Sequence, residues 1–394
     1  MNPSMKNQLI WVRVIGFAIS ITFLTWVPRL PEIKDHLGLG VSQLGQIFMV
    51  VGLVGLVSSK LNSWLLVNLG SRRMLFLAIP LGLFGNVLVA TMSGVPQFIG
   101  GLVFCSLASF LSNTAAITQA NNIRIATGFD PQANMSAIAN IGSLFAMILG
   151  AACLSLIPPA FYIVGLSILA STAIGMASWR LAPKDSHDTV TGQPEKITMP
   201  WFGKTTGLFW IMVLAVFAST TAEFSVSDWG AILARDSFGI PAPFYLLPFV
   251  VFQAGVVSSR FATDHLGQKF GVARFVTVST CSAALVWICA LVVAASVGAS
   301  APWLTLFITL IGFTAGGWGV GPIWPVFISA INRGPFPPAV ALPRFFSLVS
   351  LAFVLGPGVL GQLANWLTLP YALVVAAVML FLAGTQSRKK VLGY

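Results

Sequence analysis

The sequence predicts an all-α membrane protein: twelve transmembrane helices in two pseudo-symmetric six-helix bundles, with both termini on the cytoplasmic side. Three observations carry this expectation. The first is composition, with 57% hydrophobic residues, 8% charged residues and a mean hydropathy of +0.90, where soluble domains carry about 25% charge. The second is a series of apolar segments, each long enough to cross a hydrocarbon core of about 30 Å. The third is the return of short patterns at an offset close to half the chain.

Pro, Gly or charge separates the segments, which fall near 9–31, 42–66, 74–92, 96–122, 134–156 and 159–181, then 206–235, 243–262, 272–295, 302–331, 339–364 and 369–386. The first run, Leu9 to Val27, is not followed by an Ala-x-Ala type of cleavage signal, so a retained helix is expected rather than a removed signal peptide. Twelve crossings place both termini on one side. Of 21 Lys and Arg residues, three (Arg29, Lys34 and Arg235) fall on the opposite side, which leaves 18 with the termini. Positive charge marks the cytoplasmic face, so the chain reads N-in and C-in.

Ala182 to Lys204 is the longest polar stretch and contains Lys184, Asp185, Asp188, Glu195 and Lys196 among Gly and Pro, the composition of a flexible linker. The expected organisation is an N-terminal bundle at 1–181, a cytoplasmic linker at 182–205 and a C-terminal bundle at 206–394. Ser58-Ser59-Lys60 returns as Ser258-Ser259-Arg260 at an offset of 200, Thr25-Trp26 as Asp228-Trp229 at 203, and Leu37-Gly38-Leu39 as Phe238-Gly239-Ile240 at 201. A near-constant offset is what duplication of a six-helix unit predicts.

A net charge of +11 would point to nucleic acid only if it formed a contiguous basic face. Here the charges are scattered through short connections, and no nucleic-acid partner is expected. Cys105, Cys153, Cys281 and Cys289 lie in apolar segments without CxxC or Cys/His spacing, so neither a disulfide framework nor a metal site is predicted. His36, His187 and His265 belong to polar connections. HExxH, GxSxG and a Gly-rich phosphate loop are missing from the sequence, so no enzyme, cofactor or ATP-driven pump is expected.

The residue that asks for a function is Glu223, followed five positions later by Asp228 and then Trp229. At about 1.5 Å per residue, Glu223 lies about 27 Å from Thr205 and about 18 Å from Arg235 along a helix, which puts it inside the hydrocarbon region. An ionised carboxylate there costs several kcal/mol unless it is paired, hydrated or protonated. Facing a wet cavity, it would exchange a proton or hold a polar solute; the plainer alternative is a surface acid on a slightly displaced helix.

Amides inside or near the ends of spans form a second set: Asn86, Asn113, Gln119, Asn121, Asn122, Asn140 and Gln253. They serve as helix-to-helix hydrogen bonds or line a cavity for a polar neutral solute, with Asn113, Asn140 and Gln253 nearest mid-span. Trp26 and Trp229 fall near the outer boundary, where interfacial anchoring is common, and with Arg29 they form the expected outer mouth. Trp318 and Trp324 lie deeper, in a run from Ala315 to Pro325 rich in Gly and Pro. Such composition weakens a helix, and irregular backbone at depth must face protein or a cavity. The tenth span is therefore expected to move or to line the substrate path.

These residues resemble the major facilitator superfamily. Its loop between the second and third spans returns here as Asn68-Leu69-Gly70-Ser71-Arg72-Arg73, with Val67 where the family has an acid, and again as Ser259-Arg260-Phe261-Ala262-Thr263-Asp264-His265-Leu266-Gly267-Gln268-Lys269. A closer resemblance is to bacterial fucose-permease-like and related inner-membrane permeases. It rests on the stretch from Trp26-Val27-Pro28-Arg29 to Lys34, on Leu37-Gly38-Leu39, on Glu223 with Asp228-Trp229, and on Gly321-Pro322-Ile323-Trp324-Pro325. The fourth span lacks that branch's acid and the fifth its His, so no sugar specificity is carried over.

The resemblance implies a multi-pass protein of a bacterial cytoplasmic membrane. It would be a secondary active transporter moving a small polar organic solute by alternating access, driven by protons through Glu223 or Asp228. Asp264, Arg260 and Arg333, with Gly70 and Arg72 in the first half, would form an inner gate. Arg344 would reach the cavity or snorkel to the inner surface. Expected partners are a small-molecule substrate, H⁺ and the lipid bilayer, and the expected state is a monomer. The alternatives are efflux of amphipathic compounds and, in another class, a non-transporting receptor or membrane-embedded enzyme.

Overall fold

The computed structural model describes residues 3–127, 131–181, 207–334, 336 and 338–393, and among them no strand occurs. The helices are α1 (Pro3–Leu24), α2 (Leu30–His36), α3 (Val41–Ala90), α4 (Val95–Thr127), α5 (Gln132–Ala152), α6 (Pro159–Arg180), α7 (Gly207–Ile232), α8 (Leu247–Phe270), α9 (Val272–Val297), α10 (Pro302–Val320), α11 (Ile323–Asn332), α12 (Pro338–Val349), α13 (Leu351–Leu367), α14 (Leu369–Gln386) and α15 (Lys389–Leu392). Eleven helical stretches are long and apolar enough to cross a membrane, and Ala137–Ala152 is a shorter apolar helix. The chain is a multi-pass membrane protein, with twelve apolar helices among the described residues.

Local chemistry decides where crossings merge or split. The second and third spans, expected at 42–66 and 74–92, run on as α3, which turns at Gly70 with φ 75 and ψ 160, a conformation that a side chain would strain. The tenth span divides into α10 and α11 at Gly321-Pro322, and the eleventh into α12 and α13 around Ser350. Pro322 has no N–H to continue the ladder of α10. The seventh span extends beyond α7 through a π-helical turn, Leu233–Ser237.

Contacts separate the chain into two units, one of Met1–Leu37 with Val51–Gln193 and the other of Gly38–Val50 with Pro194–Tyr394. Gly38–Val50, assigned by sequence to the first bundle, thus packs as part of the second unit. Each unit is built round its first long helix: α1 packs on α4, α5 and α6, and α7 packs on α10, α13 and α14. The echo extends to the backbone. Gly38 and Gly239 have φ of 62 and 66, and Gly70 and Gly271 have φ of 75 and 83. Both pairs are 201 residues apart.

In the second unit the core joins Phe209 and Val216 of α7, Val276 of α9, Ile323 and Phe327 of α11 and Phe345 of α12. In the first unit, polar side chains bind helix to helix. Thr25 donates to Asn86 at 2.8 Å, Asn86 donates to the Thr22 and Gly82 carbonyls, and Gln119 donates to Ser71 at 2.7 Å.

Arg29 is the largest such device. Only 1% exposed, it donates to the carbonyls of Cys153 and Ile157 at 2.8 Å and of Leu154 at 2.7 Å, and it lies 3.2 Å from Glu32. Its guanidinium also covers the Tyr162 ring at 5.5 Å. Cys153 caps α5, and Arg29 ties its carbonyl to those of Leu154 and Ile157 in the turn that follows. Replacing it by Met strands the Leu154 and Ile157 carbonyls and removes the partner of Glu32. Arg29→Met is expected to destabilise the protein by about 3 kcal/mol, read as a lowered thermal midpoint in detergent; Arg29→Lys, which lacks the planar fork, should recover only part of that loss.

Candidate functional site

The half of α7 that carries the acids is enclosed. From Ala215 to Ile232 no residue is exposed, although Leu208 and Leu214 nearer its start are. A helix apolar and covered all round is a core helix, so Glu223 and Asp228 lie within protein surroundings. Both are half-buried. They do not share a face: five residues at 3.6 per turn place Asp228 about 140° round the helix from Glu223.

Glu223 lies on a buried stripe with Ser219, Val226 and Gly230. Among the described residues it has no hydrogen bond or salt bridge; the charge that acts on it is that of Arg260 on α8. Arg260 in turn donates Nε to the Gly321 carbonyl at 3.3 Å, at the break between α10 and α11. There α8 and α10 meet closely enough that a methyl on Gly321 would come 2.6 Å from the Val256 carbonyl and collide with the Ser259 hydroxyl. The second unit thus holds an enclosed carboxylate on α7 and, on the neighbouring α8, a guanidinium bonded to the carbonyl at the α10–α11 junction.

Unsatisfied oxygens accompany them. The hydroxyls of Ser219, Thr220 and Thr221, and Oε1 of Gln253 on α8, are buried without a hydrogen-bond partner among the described residues. Buried polar atoms normally have partners, and a set of open acceptors on two neighbouring helices fits a polar ligand or water. The sequence signal for the hydroxyls, Ser219-Thr220-Thr221 directly before Glu223 in an apolar span, is legible but went unread.

Other expected site residues lie elsewhere. Asn113 is exposed and bonds Ser109 one turn back, whereas Asn140 is half-buried with its Nδ2 unpartnered among the described residues; both belong to the first unit. Trp229 is fully buried, with its ring 5.9 Å from that of Phe48. Trp26 is 5% exposed and meets Phe98 edge-on. Neither indole sits at a lipid surface, because each is covered by its own unit's helices.

Trp318 lines an apolar groove of about 580 Å³ between α9 and α10 with Val286, Phe307 and Ile311. Trp324 stacks on the exposed Phe346 at 6.1 Å and meets Phe345 edge-on. Several glycines of the tenth span are packing positions, since a methyl on Gly316 would meet the Trp287 ring at 2.8 Å and one on Gly319 would meet Ala283 at 2.9 Å. Of the expected gate residues, Arg333 donates to the Leu392 carbonyl at 3.4 Å and Arg72 to the Trp179 carbonyl at 3.0 Å. The side chain of Asp264 lies outside the described residues.

Such a fold is a known one. Over 98% of this chain and 97% of the other it matches a bacterial homologue of the human lysosomal transporter Spinster, in an inward-facing and occupied conformation, with TM-score 0.73 at 14% identity. Over 96% and 98% it matches the nucleoside transporter NupG, with TM-score 0.69 at 11% identity. These similarities define a multi-pass membrane protein of the major facilitator fold. No family model matches the chain. Its sequence is 22% identical to an uncharacterised MFS-type transporter of Yersinia pestis, over 97% of this chain and 95% of that protein. It is 23% identical to an uncharacterised transporter of Sinorhizobium fredii, over 90% of each. Over nearly its whole length the chain is thus similar to proteins named as transporters, and it has the fold of the major facilitator superfamily.

The seam at Gly321 is open to test. Gly321→Ala should cost about 1 to 3 kcal/mol through overpacking against Val256 and Ser259, measured as a drop in thermal midpoint; a midpoint equal to that of the parent would show that α8 and α10 have slack there.

Proposed function

We propose that the protein is a secondary active transporter that moves a small polar organic solute across a bacterial cytoplasmic membrane by alternating access, coupled to protons through Glu223. The observation that carries this reading is the enclosure of Glu223 on α7 without a hydrogen bond or salt bridge among the described residues, beside open hydroxyls and within the field of Arg260. A carboxylate held in this way is costly unless a proton or a ligand visits it. Protonation removes its attraction to Arg260, whose other bond is to the hinge-like Gly321 carbonyl. Occupancy of one acid would thereby bias the break between α10 and α11, a two-state element of the kind coupling requires.

In this reading Ser219, Thr220, Thr221 and Gln253 offer hydrogen bonds to the solute within the second unit. Trp324, with Phe346, offers a flat apolar surface. Arg260 takes the role of coupling partner, while Asp264, Arg333, Gly70 and Arg72 remain the proposed inner gate and Trp26, Arg29 and Trp229 the outer mouth. Asp228, on another face of α7, is the alternative proton site. The basic loops set the chain N-in and C-in, and a monomer is the working unit. NupG is a nucleoside transporter by name, and nucleosides, as polar solutes with a planar ring, head the substrates to be screened.

The experiment is uptake into proteoliposomes with and without an imposed pH gradient. Wild-type protein should accumulate its solute only with the gradient. Glu223→Gln should abolish that accumulation while leaving counterflow exchange. Undiminished accumulation by Glu223→Gln would remove Glu223 from the coupling step, and loss of exchange as well would make it a substrate ligand instead.

A further inference from the structure

A second cavity, of about 630 Å³, lies wholly within the first unit, between α1, α3 and α6. Its walls are apolar. Leu83 and Ile168 stand at one end, Trp11 and Met176 farther along, and Trp179 with Arg180 at the other end, where α6 stops. Ile168, Met176 and Trp179 are 50%, 57% and 71% exposed. Exposed apolar surface of this size is normal only where hydrocarbon covers it.

Shape and charge both identify the cover. Ile168 and Arg180 are twelve residues apart on one helix, about 18 Å at the helical rise, close to half the thickness of a hydrocarbon core of about 30 Å. The groove therefore runs the depth of one leaflet, as an acyl chain does. Its basic end is organised: Arg72 donates to the Trp179 carbonyl at 3.0 Å and lies 5.9 Å over the Trp179 ring, and Phe76 meets that ring edge-on at 6.3 Å. Trp11 is held by a bond from its Nε1 to Asn7 at 3.1 Å. Aromatic rings at a headgroup level are a normal interfacial arrangement. Arg180 lines the groove mouth and is exposed, and among the described residues no acidic one lines it.

We infer that this groove between α1, α3 and α6 is a binding site for one anionic phospholipid, its acyl chain lying along Ile168, Thr172 and Met176 and its phosphate beside Arg180 and Arg72. Basic pockets between spans hold such headgroups by charge, each arginine near the surface raising affinity about fivefold. The site is separate from Glu223, which belongs to the other unit.

The test is native mass spectrometry of the delipidated, detergent-purified protein titrated with phosphatidylglycerol or with phosphatidylcholine of the same acyl chains, reading the affinity of the first lipid bound. Wild-type protein should prefer phosphatidylglycerol. Arg180→Gln, at an exposed position, should lower that affinity about fivefold and leave phosphatidylcholine unchanged. Thr172→Trp, which fills the groove from another exposed position, should lower retention of both lipids. Equal affinity of wild-type protein for the two lipids overturns the headgroup assignment, as does an unchanged preference in Arg180→Gln. Full retention by Thr172→Trp overturns the groove itself.

Discussion

Hydrocarbon offers no hydrogen bonds, and this one constraint shapes every polar position in the chain. Where the protein can satisfy a polar group internally it does so. Asn86 is shared between Thr25 and two carbonyls, Gln119 meets Ser71, and Arg29 closes the end of α5 with three carbonyl bonds. These groups stabilise the fold because their partners are fixed. Other buried polar atoms remain open among the described residues, those of Ser219, Thr220, Thr221 and Gln253 in the second unit and Asn62, Asn140 and Ser167 in the first among them. Desolvation without compensation is costly, so a set of open groups persists where something other than protein completes it.

The same constraint explains what the sequence disclosed. Span number follows from run length and hydropathy, because only helices of sufficient length satisfy their own backbone in a bilayer. The repeat was legible in Gly38 and Gly239 because left-handed backbone selects glycine. The further pair Gly70 and Gly271 is less legible, because the loop motif matches Gly70 to Gly267, four residues earlier. Continuity was less legible. A proline at Pro80 sits inside α3 without ending it, whereas Gly321-Pro322 divides α10 from α11. Whether a breaker breaks depends on neighbours, and the close approach of Val256 and Ser259 at Gly321 is a tertiary fact with no local signature.

Side-chain direction was the least legible of all. Trp26 and Trp229 stand where interfacial anchors stand, yet both are inside protein. Trp318 shares the tenth span with Trp324 but lines the groove against α9, whereas Trp324 packs with Phe345 and Phe346. Six residues at about 100° each separate the two indoles by about 120° round the helix axis. Spacing along the chain therefore identifies depth well, and azimuth only where a helix is straight.

Arg260 shows how a fold adds partners to those a sequence suggests. By sequence it is one turn from Asp264 and is expected to form an inner gate with it. In the fold its charge acts on Glu223, one helix away, and its Nε holds a carbonyl at the break between α10 and α11. A guanidinium can do both because its donors point in several directions. In the proposed coupling, neutralising Glu223 would leave Arg260 with its carbonyl bond and one less attraction. α10 packs closely on α8 and α9 at Gly316, Gly319 and Gly321, and α11, beyond Pro322, packs through Ile323 and Phe327 into the core with α7 and α12.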